Sequence, residues 1–292
     1  DSNRGFLGNC NAAALEARGD CILFLNNDVA VTPGWLSTLL QTLDGNSDIG
    51  IVGPKLLFGD GQLQEAGGII WNDASGWNFG RVDDPGKPEY NYLRDTDYVS
   101  GACLLIRSEL WRQLDGFDSR YVPAYYEDTD IAFEVRKAGY RVVYQPGSSI
   151  YHFEGISHGT DLTSGIKQHQ VDNQQKFREK WAAELSQNHF ENSQHLFLAR
   201  DRSRQRRCVL VIDHYVPSYD KDAGSRSTWM YLKLLVELGY NVKFIGANFF
   251  PHQPYTNELQ QMGIEVLVGE HFARNIKSWL QDNADYVHAV YV

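Results

Sequence analysis

No stretch of this chain holds the roughly 18 consecutive apolar residues that a membrane-spanning helix needs, and no signal peptide opens it. Basic residues are in deficit: 27 Lys and Arg stand against 37 Asp and Glu, for a net charge of −10. That balance argues against general nucleic-acid binding, which calls for a basic surface. Cysteine is scarce and scattered. Cys10, Cys21, Cys103 and Cys208 form no CxxC pair. Cys21 and Cys208 fall in apolar, strand-like runs, so buried thiols of a reducing compartment are expected rather than disulfides or zinc. An initiator Met is also missing: the chain opens on Asp1-Ser2-Asn3 and closes inside the apolar run 286–292. Both ends read as cut, and the chain as a piece of something longer.

What is present is the composition of a globular protein. Apolar residues make up 42% and charged residues 22% of 292 positions, enough for two domains. Aromatics, at 13%, serve cores or sugar-stacking sites, and composition does not separate the two. The organising stretch is Cys21-Ile22-Leu23-Phe24-Leu25, followed by Asn26-Asn27-Asp28. A short unbroken apolar run after Gly19-Asp20 predicts a strand buried on both faces. The polar triplet then falls at the strand's C-terminal end, where open α/β sheets bind ligands. A carboxylate flanked by amides can hold a hard cation such as Mg²⁺ or Mn²⁺ through oxygen. A plain polar turn accounts for the same three residues.

Ahead of that strand, residues 3–9 are rich in Gly and Asn and read as a loop, with a short helix over 10–18 closed by Gly19. Thr32-Pro33 predicts an N-cap and first-turn proline for a helix to about Leu43. A second strand is expected over 48–53. Residues 54–95 show no strong period but carry Trp71, Trp77, Phe79, Tyr90 and Tyr92, which argues for an ordered, functional segment. Residues 98–107 read as a strand through Gly101-Ala102. Tyr125-Tyr126-Glu127-Asp128-Thr129-Asp130 then gathers three carboxylates at the start of a helix ending at Gly139. Dipole and capping chemistry would suffice to explain acids there and Arg136-Lys137 at the far end. A strand over 140–144 precedes His152, and 165–185 reads as a polar helix.

Residues 191–206 read as a solvated linker crowded with arginines. From Cys208 onward the pattern changes to strict β-α-β alternation, with strands at 208–213, 242–246, 264–268 and 286–292. This implies a parallel sheet with helices on its faces. Ala223-Gly224-Ser225 ahead of a helix can admit an anion, although the full GxGxxG or GxxxxGK[ST] spacing is absent.

Taken in order, Asn3-Arg4-Gly5-Phe6, Leu25-Asn26-Asn27-Asp28, Ser100-Gly101-Ala102, Gly116-Phe117-Asp118, Glu127-Asp128-Thr129-Asp130 and His152-Phe153-Glu154-Gly155-Ile156-Ser157 resemble the family 2 glycosyltransferases, particularly the rhamnosyltransferase-like members. The resemblance covers residues 1–190. It implies an α/β GT-A fold with a mixed sheet, a nucleotide-sugar donor, Mg²⁺ or Mn²⁺ as cofactor and an inverting transfer. It implies Asp28 as holder of the metal, His152 beside the metal and diphosphate, and Asp128 as catalytic base. Asn3, Arg4, Gly5 and Asn27 fall to the donor nucleotide, and Gly101, Ala102, Glu127 and Trp77 to the acceptor or sugar. Family members begin with a strand and loop that this chain lacks, so the donor site is expected to be partial. Residues 207–292 resemble the start of a GT-B-type glycosyltransferase domain of Rossmann-like form. A receiver domain is the alternative there, with His214 in place of its usual second acid.

These residue types suit sugar transfer. A cation on Asp28 offsets the charge growing on the leaving diphosphate, and a carboxylate within ~3 Å of an acceptor hydroxyl takes its proton as it attacks. The expected activity is transfer to a glycan or lipid-linked acceptor in cell-surface polysaccharide synthesis. The expected location is cytoplasmic, peripheral to the inner face of the membrane, and the cut edges imply self-association. A non-catalytic nucleotide- or glycan-binding module is the alternative from another class. A nucleotidyltransferase is a third, since it shares this kind of sheet.

Overall fold

A computed structural model of the chain describes residues 5–153 and 168–292. Contacts divide it into two units, Asp1–Pro85 with Asp95–Arg200, and Gly86–Arg94 with Asp201–Val292.

The first unit opens with α1 (Gly5–Ala14), β1 (Cys21–Leu25), β2 (Val29–Val31), α2 (Trp35–Asp44) and β3 (Ile49–Leu57). Helix thus begins at Gly5, inside the stretch expected as loop. Asn11 explains part of this: its side chain donates to Phe117 O and accepts from Phe117 N, which ties α1 to the distant 116–118 turn. The expected cap of α2 is also different. Thr32 Oγ1 donates to Ser149 O at 2.6 Å, and Gly34, in left-handed conformation, precedes the helix with no side-chain cap. Residues 58–95 are ordered by pairing that no sequence period announces. β4 (Leu63–Glu65) lies antiparallel to β3, and β5 (Gly68–Ile70) pairs with β6 (Gly76–Asn78). β7 (Arg94–Asp95) lies where the chain passes between units.

β8 (Cys103–Arg107), α3 (Ser108–Gln113), α4 (Glu127–Lys137), β9 (Arg141–His152), α5 (Gln168–Lys180), α6 (Ala182–Asn188) and α7 (Leu196–Ala199) complete this unit. The sheet order is β1-β8-β3-β9-β2, with β3 and β9 parallel and the other neighbours antiparallel. It is a mixed sheet with flanking helices, as expected. Gly139, at φ +90, ends α4 in the left-handed conformation that favours glycine. The core joins Ile22 and Phe24 of β1 to Trp111, Phe117, Phe133 and Phe177. Phe24 lies 4.7 Å from Trp111 and 5.1 Å from Phe117, and such pairs add ~0.5–1.5 kcal/mol each beyond burial. β9 runs eight residues past the expected strand end, and this carries His152 on the sheet rather than on a loop behind it.

The second unit contains β10 (Cys208–Asp213), α8 (Ala223–Glu237), β11 (Asn241–Gly246), α9 (Tyr255–Gln261), β12 (Glu265–Val266), α10 (Glu270–Asn283) and β13 (Val287–Tyr291). Its four strands are parallel, in the order β12-β11-β10-β13. The helix start that could admit an anion already holds one. Asp222 accepts from Ser225 N at 2.8 Å and Ser225 Oγ at 2.7 Å. The arginine-rich stretch is not a solvated arm either: Phe197, Arg200, Asp201 and Ser203 are buried, and Leu196–Ala199 is helical.

Candidate active site

The end of β1 supplies the first half of the site. Antiparallel pairing of Leu25 with Cys103 sets Asn26 beside Ala102, and Asn26 N donates to Ala102 O at 3.0 Å. Asn27 is exposed at the turn. Asp28 follows, and β2 then pairs Val29 with His152. Phe153 N donates to Asp28 O at 2.9 Å. This register places His152 Nε2 3.3 Å from Asp28 Oδ1 and within 3.5 Å of Asn26 Nδ2. The other ring nitrogen, Nδ1, lies 3.1 Å from Gln64 Oε1.

The second half stands at the start of α4. Asp128 Oδ2 accepts from Gly101 N at 2.9 Å, and Oδ1 accepts from Thr129 N at 2.7 Å and Thr129 Oγ1 at 3.2 Å. The acid is therefore turned toward the 100–102 loop as well as its own helix. A Cβ on Gly101 would stand 3.6 Å from Asp128 and from the Phe6 ring, so α1 also borders this point. Burial pushes the Asp128 carboxyl above its ordinary value, against the pull of the Gly101 and Thr129 donors. A raised value makes the ionised form a stronger proton acceptor. Helix dipole alone would have predicted the opposite direction.

The two halves share one loop. Ala102 O is bonded to the Asn26 backbone and Gly101 N to Asp128. Residues 125 and 126 lead into α4 at φ +75 and +73, and both are tyrosines. Such backbone costs ~1–3 kcal/mol per residue and persists only where its surroundings hold it. Tyr126 OH donates to Ala74 O at 2.9 Å, and the fully buried Asn173 donates to the carbonyls of Tyr121, Ala124 and Tyr125.

Glu127 and Asp130 flank Asp128 but differ in kind. Asp130 is buried and saturated: it accepts from Tyr121 OH at 3.0 Å, Trp181 Nε1 at 2.7 Å and Lys180 Nζ at 2.7 Å. It fastens α5 to α4. Glu127 is 5% exposed, and its Oε2 has no hydrogen-bond partner. Burial, then the Asp128 charge, pushes its carboxyl well above the ordinary value. Burial of Cys10, then the nearby Glu127, raises its thiol to about 11, which disfavours the thiolate. All four cysteines are free.

Trp77 lies on the β5–β6 hairpin, 38% exposed, with its ring edge-on to Trp71 at 5.0 Å. Next to it, Asn78 accepts from Tyr98 OH at 3.1 Å, and the buried Tyr98 phenol is raised by burial and then by Glu65 and Asp128. Gly5 begins α1 beside Pro123. Asn3, Arg4 and residues 154–157 lie outside the described residues. Among the described residues, no group of three or more His, Cys, Asp and Glu is placed to hold a metal. Asp28 and His152 are a pair, one carboxylate oxygen and one imidazole nitrogen. That donor set suits a Mg²⁺ or Mn²⁺ ion that keeps water and phosphate oxygens as its other ligands.

Gln64, Tyr98 and Asn26 were not singled out by sequence. Gln64 comes from a stretch where strand pairing, not periodicity, sets position, and Tyr98 from the expected strand 98–107, of which Cys103–Arg107 forms one. Asn26 stands in the quoted triplet, but only the register separates its inward role from the exposure of Asn27.

The family model described as Glycosyltransferase like family 2 matches residues 1–174. The O-antigen biosynthesis protein RfbC of Myxococcus xanthus is 33% identical over 159 residues, 52% of this chain and 12% of that protein. The N-acetylglucosaminyl-diphospho-decaprenol L-rhamnosyltransferase of Mycobacterium tuberculosis is 28% identical over 165 residues, 51% of this chain and 52% of that protein. An uncharacterized protein of Sinorhizobium fredii, y4gI, is 32% identical over 159 residues, 52% of this chain and 17% of that protein. The chain thus spans about half the length of the mycobacterial relative and under a fifth of the other two. Among solved structures, the crystal structure of GalNAc-T7 with UDP, GalNAc and Mn²⁺ aligns with TM-score 0.50 at 15% identity, over 64% of this chain and 37% of that one. This likeness bears on the fold, which is GT-A.

Proposed function

The chain belongs to the family described as Glycosyltransferase like family 2, and on that premise we propose that its first unit performs inverting, metal-dependent transfer of a sugar from a nucleotide-sugar donor to a glycan or lipid-linked hydroxyl in polysaccharide synthesis. The observation that carries the reading is the shared loop: Asn26 to Ala102 and Gly101 to Asp128 bring a cation-type pair and a raised carboxylate to one sheet end. Asp28 and His152 would hold Mg²⁺ or Mn²⁺. When bound, that ion offsets the charge that develops on the donor diphosphate.

Asp128 receives the proton of the acceptor hydroxyl as its oxygen attacks the anomeric carbon. The Gly101 and Thr129 donors hold the carboxylate in place for this. Attack from the face opposite the diphosphate inverts the anomeric centre. The exposed Asn27, with Gly5, Asn3 and Arg4, would line the nucleotide side. Gly101, Ala102, Glu127 and the exposed Trp77 ring would line the acceptor side. The mycobacterial relative is named for an L-rhamnosyl transfer to a diphospho-decaprenol-linked sugar, so rhamnosyl donors and polyprenyl-diphosphate acceptors are the first to try. No helix among the described residues is long and apolar enough to cross a membrane, and such an acceptor would be met at the cytoplasmic membrane face. The second unit we read as a GT-B-like Rossmann half without an activity of its own.

The test is a pair of substitutions. Asp28→Ala is expected to abolish Mn²⁺-dependent binding of nucleoside diphosphate in calorimetry. Asp128→Asn is expected to lower kcat by ~10²–10⁴-fold with donor affinity little changed. Unchanged metal-dependent affinity in the first, or near-normal kcat in the second, would reject the corresponding role. Binding of all nucleoside diphosphates alike, with no turnover of any sugar, would instead identify a non-catalytic binding module.

A further inference from the structure

Gln64 has no part in the chemistry described above, yet it is 2% exposed and points its Oε1 at His152 Nδ1, 3.1 Å away. Three strands set this distance. β4 pairs with β3 at Leu56–Glu65, and β3 pairs with β9 at Leu56–Ile150 and Leu57–Tyr151, so Gln64 reaches His152 across β3. A carboxamide oxygen only accepts hydrogen bonds. A proton on Nδ1 gives the ring a donor to that oxygen, and in the neutral ring Nε2 is then left with its lone pair. Nε2 in turn faces Asp28 Oδ1 at 3.3 Å. Two acceptors this close converge on one point. Asn26 Nδ2 also lies 3.5 Å from Nε2.

We propose that Gln64 is a positioning residue: it holds His152 as the Nδ1–H tautomer, so that Nε2 and Asp28 Oδ1 together present a ready donor pair to a divalent cation. The proposal rests on the metal reading given above. Gln64 itself touches no ligand. Its effect runs through the ring, as outer partners of ligating histidines act by fixing tautomer and orientation.

Two measurements on the 292-residue chain test it. The first needs no metal. Ring-nitrogen NMR of ¹⁵N-histidine-labelled chain at about pH 8.5, above the ordinary histidine range, should show His152 as the Nδ1–H form. It should lose that preference in Gln64→Leu and regain it in Gln64→Glu, which keeps an acceptor. The second is Mn²⁺ titration by calorimetry, in which Gln64→Leu should weaken binding by ~10–100-fold and Gln64→Glu should not. The same tautomer in wild type and Gln64→Leu, a wild-type ring protonated on Nε2, or Mn²⁺ affinity within about twofold in Gln64→Leu would overturn the proposal. A wild-type chain that takes up no Mn²⁺ would overturn the metal reading and the affinity half of this proposal with it. The ring spectra tell that outcome apart from a failure of Gln64.

Discussion

Two neighbouring carboxylates at the start of α4 show how one residue's surroundings decide its chemistry. Asp128 has three donors, from Gly101 and Thr129, whereas Glu127 has its Oε2 buried without a partner. Both are pushed up by burial, and Glu127 further by the Asp128 charge. On the function proposed above, such separation of paired acids would let a base and a neutral acid stand side by side. It has a consequence for stability. Below 4.5, the ordinary value for Glu127, folded and unfolded chains both carry the proton. Above it the unfolded chain releases a proton that the folded chain keeps, so stability falls as pH rises toward the raised native value. Glu127→Gln removes that linkage. Urea unfolding at a series of pH values should show a flatter profile for the variant, which at pH 8 is expected to be at least as stable as wild type. The slope that remains belongs to the other shifted carboxyls, with Asp128 and Asp130 contributing the same sign and Asp73 and Asp118 the opposite one. A variant that loses stability more steeply with pH would refute the raised value of Glu127.

At the scale of elements, α5 does more than cover the core. Sequence reads it as a polar helix with two aromatics. The structure turns Phe177 and Trp181 inward and uses the polar residues too. Asn173 clasps the loop ahead of Asp128, and Lys180 bridges Asp118, Asp130 and Glu134 at 3.2, 2.7 and 3.0 Å. Asp130 is the centre of this joint, so the third acid of the cluster is structural. Asp130→Ala would leave Trp181 Nε1 and Tyr121 OH buried without an acceptor. The expected loss is about 3 kcal/mol, from unmade hydrogen bonds to a charged group, read as a lower urea midpoint with unchanged slope. Asp130→Asn should lose less, because an amide oxygen still accepts. An Asp130→Ala variant within about 0.5 kcal/mol of wild type, the scatter of ordinary surface substitutions, would show that the joint carries no weight.

At the scale of the whole molecule, each unit has its own apolar core, and the second also buries a network of ion pairs. Lys243 of β11 is fully buried and pairs with Asp201 at 3.1 Å and Glu265 of β12 at 2.7 Å, while Tyr92 OH and Asn241 Nδ2 also donate to Asp201. This network is how residues 86–94, an excursion from the first part of the sequence, come to belong to the second unit. Removing the cation strands two buried carboxylates, which typically costs ~3–5 kcal/mol. Lys243→Met should therefore lower hydrogen-exchange protection in β10, β11 and β12 and leave that of β1 and β8 unchanged. Equal loss in β1 and β8 would mean that the two units unfold as one.

Sequence alone determined the features that rest on local chemistry. The apolar run 21–25 forms a strand, but as the edge of the sheet it buries Ile22 and Phe24 on one face and leaves Leu25 exposed rather than being buried on both faces. The acids of 127–130 begin a helix that Gly139 ends, and the β-α-β alternation after Cys208 forms a parallel sheet. The ordered motifs also identified the family to which the first part belongs. What sequence could not decide depends on register, which links residues far apart in the chain. Pairing of Val29 with His152 is what brings Asp28 to the imidazole, and pairing across β3 is what brings in Gln64. Nothing local distinguishes Asn26 from Asn27, or Asp128 from Asp130, because burial and partners come from β8, β9 and α5. Tertiary structure alone decided that Asp130 is a joint and that Asp128 and Glu127 are both raised, Glu127 also by its neighbour's charge, since those differences follow from desolvation and from donors supplied by other segments.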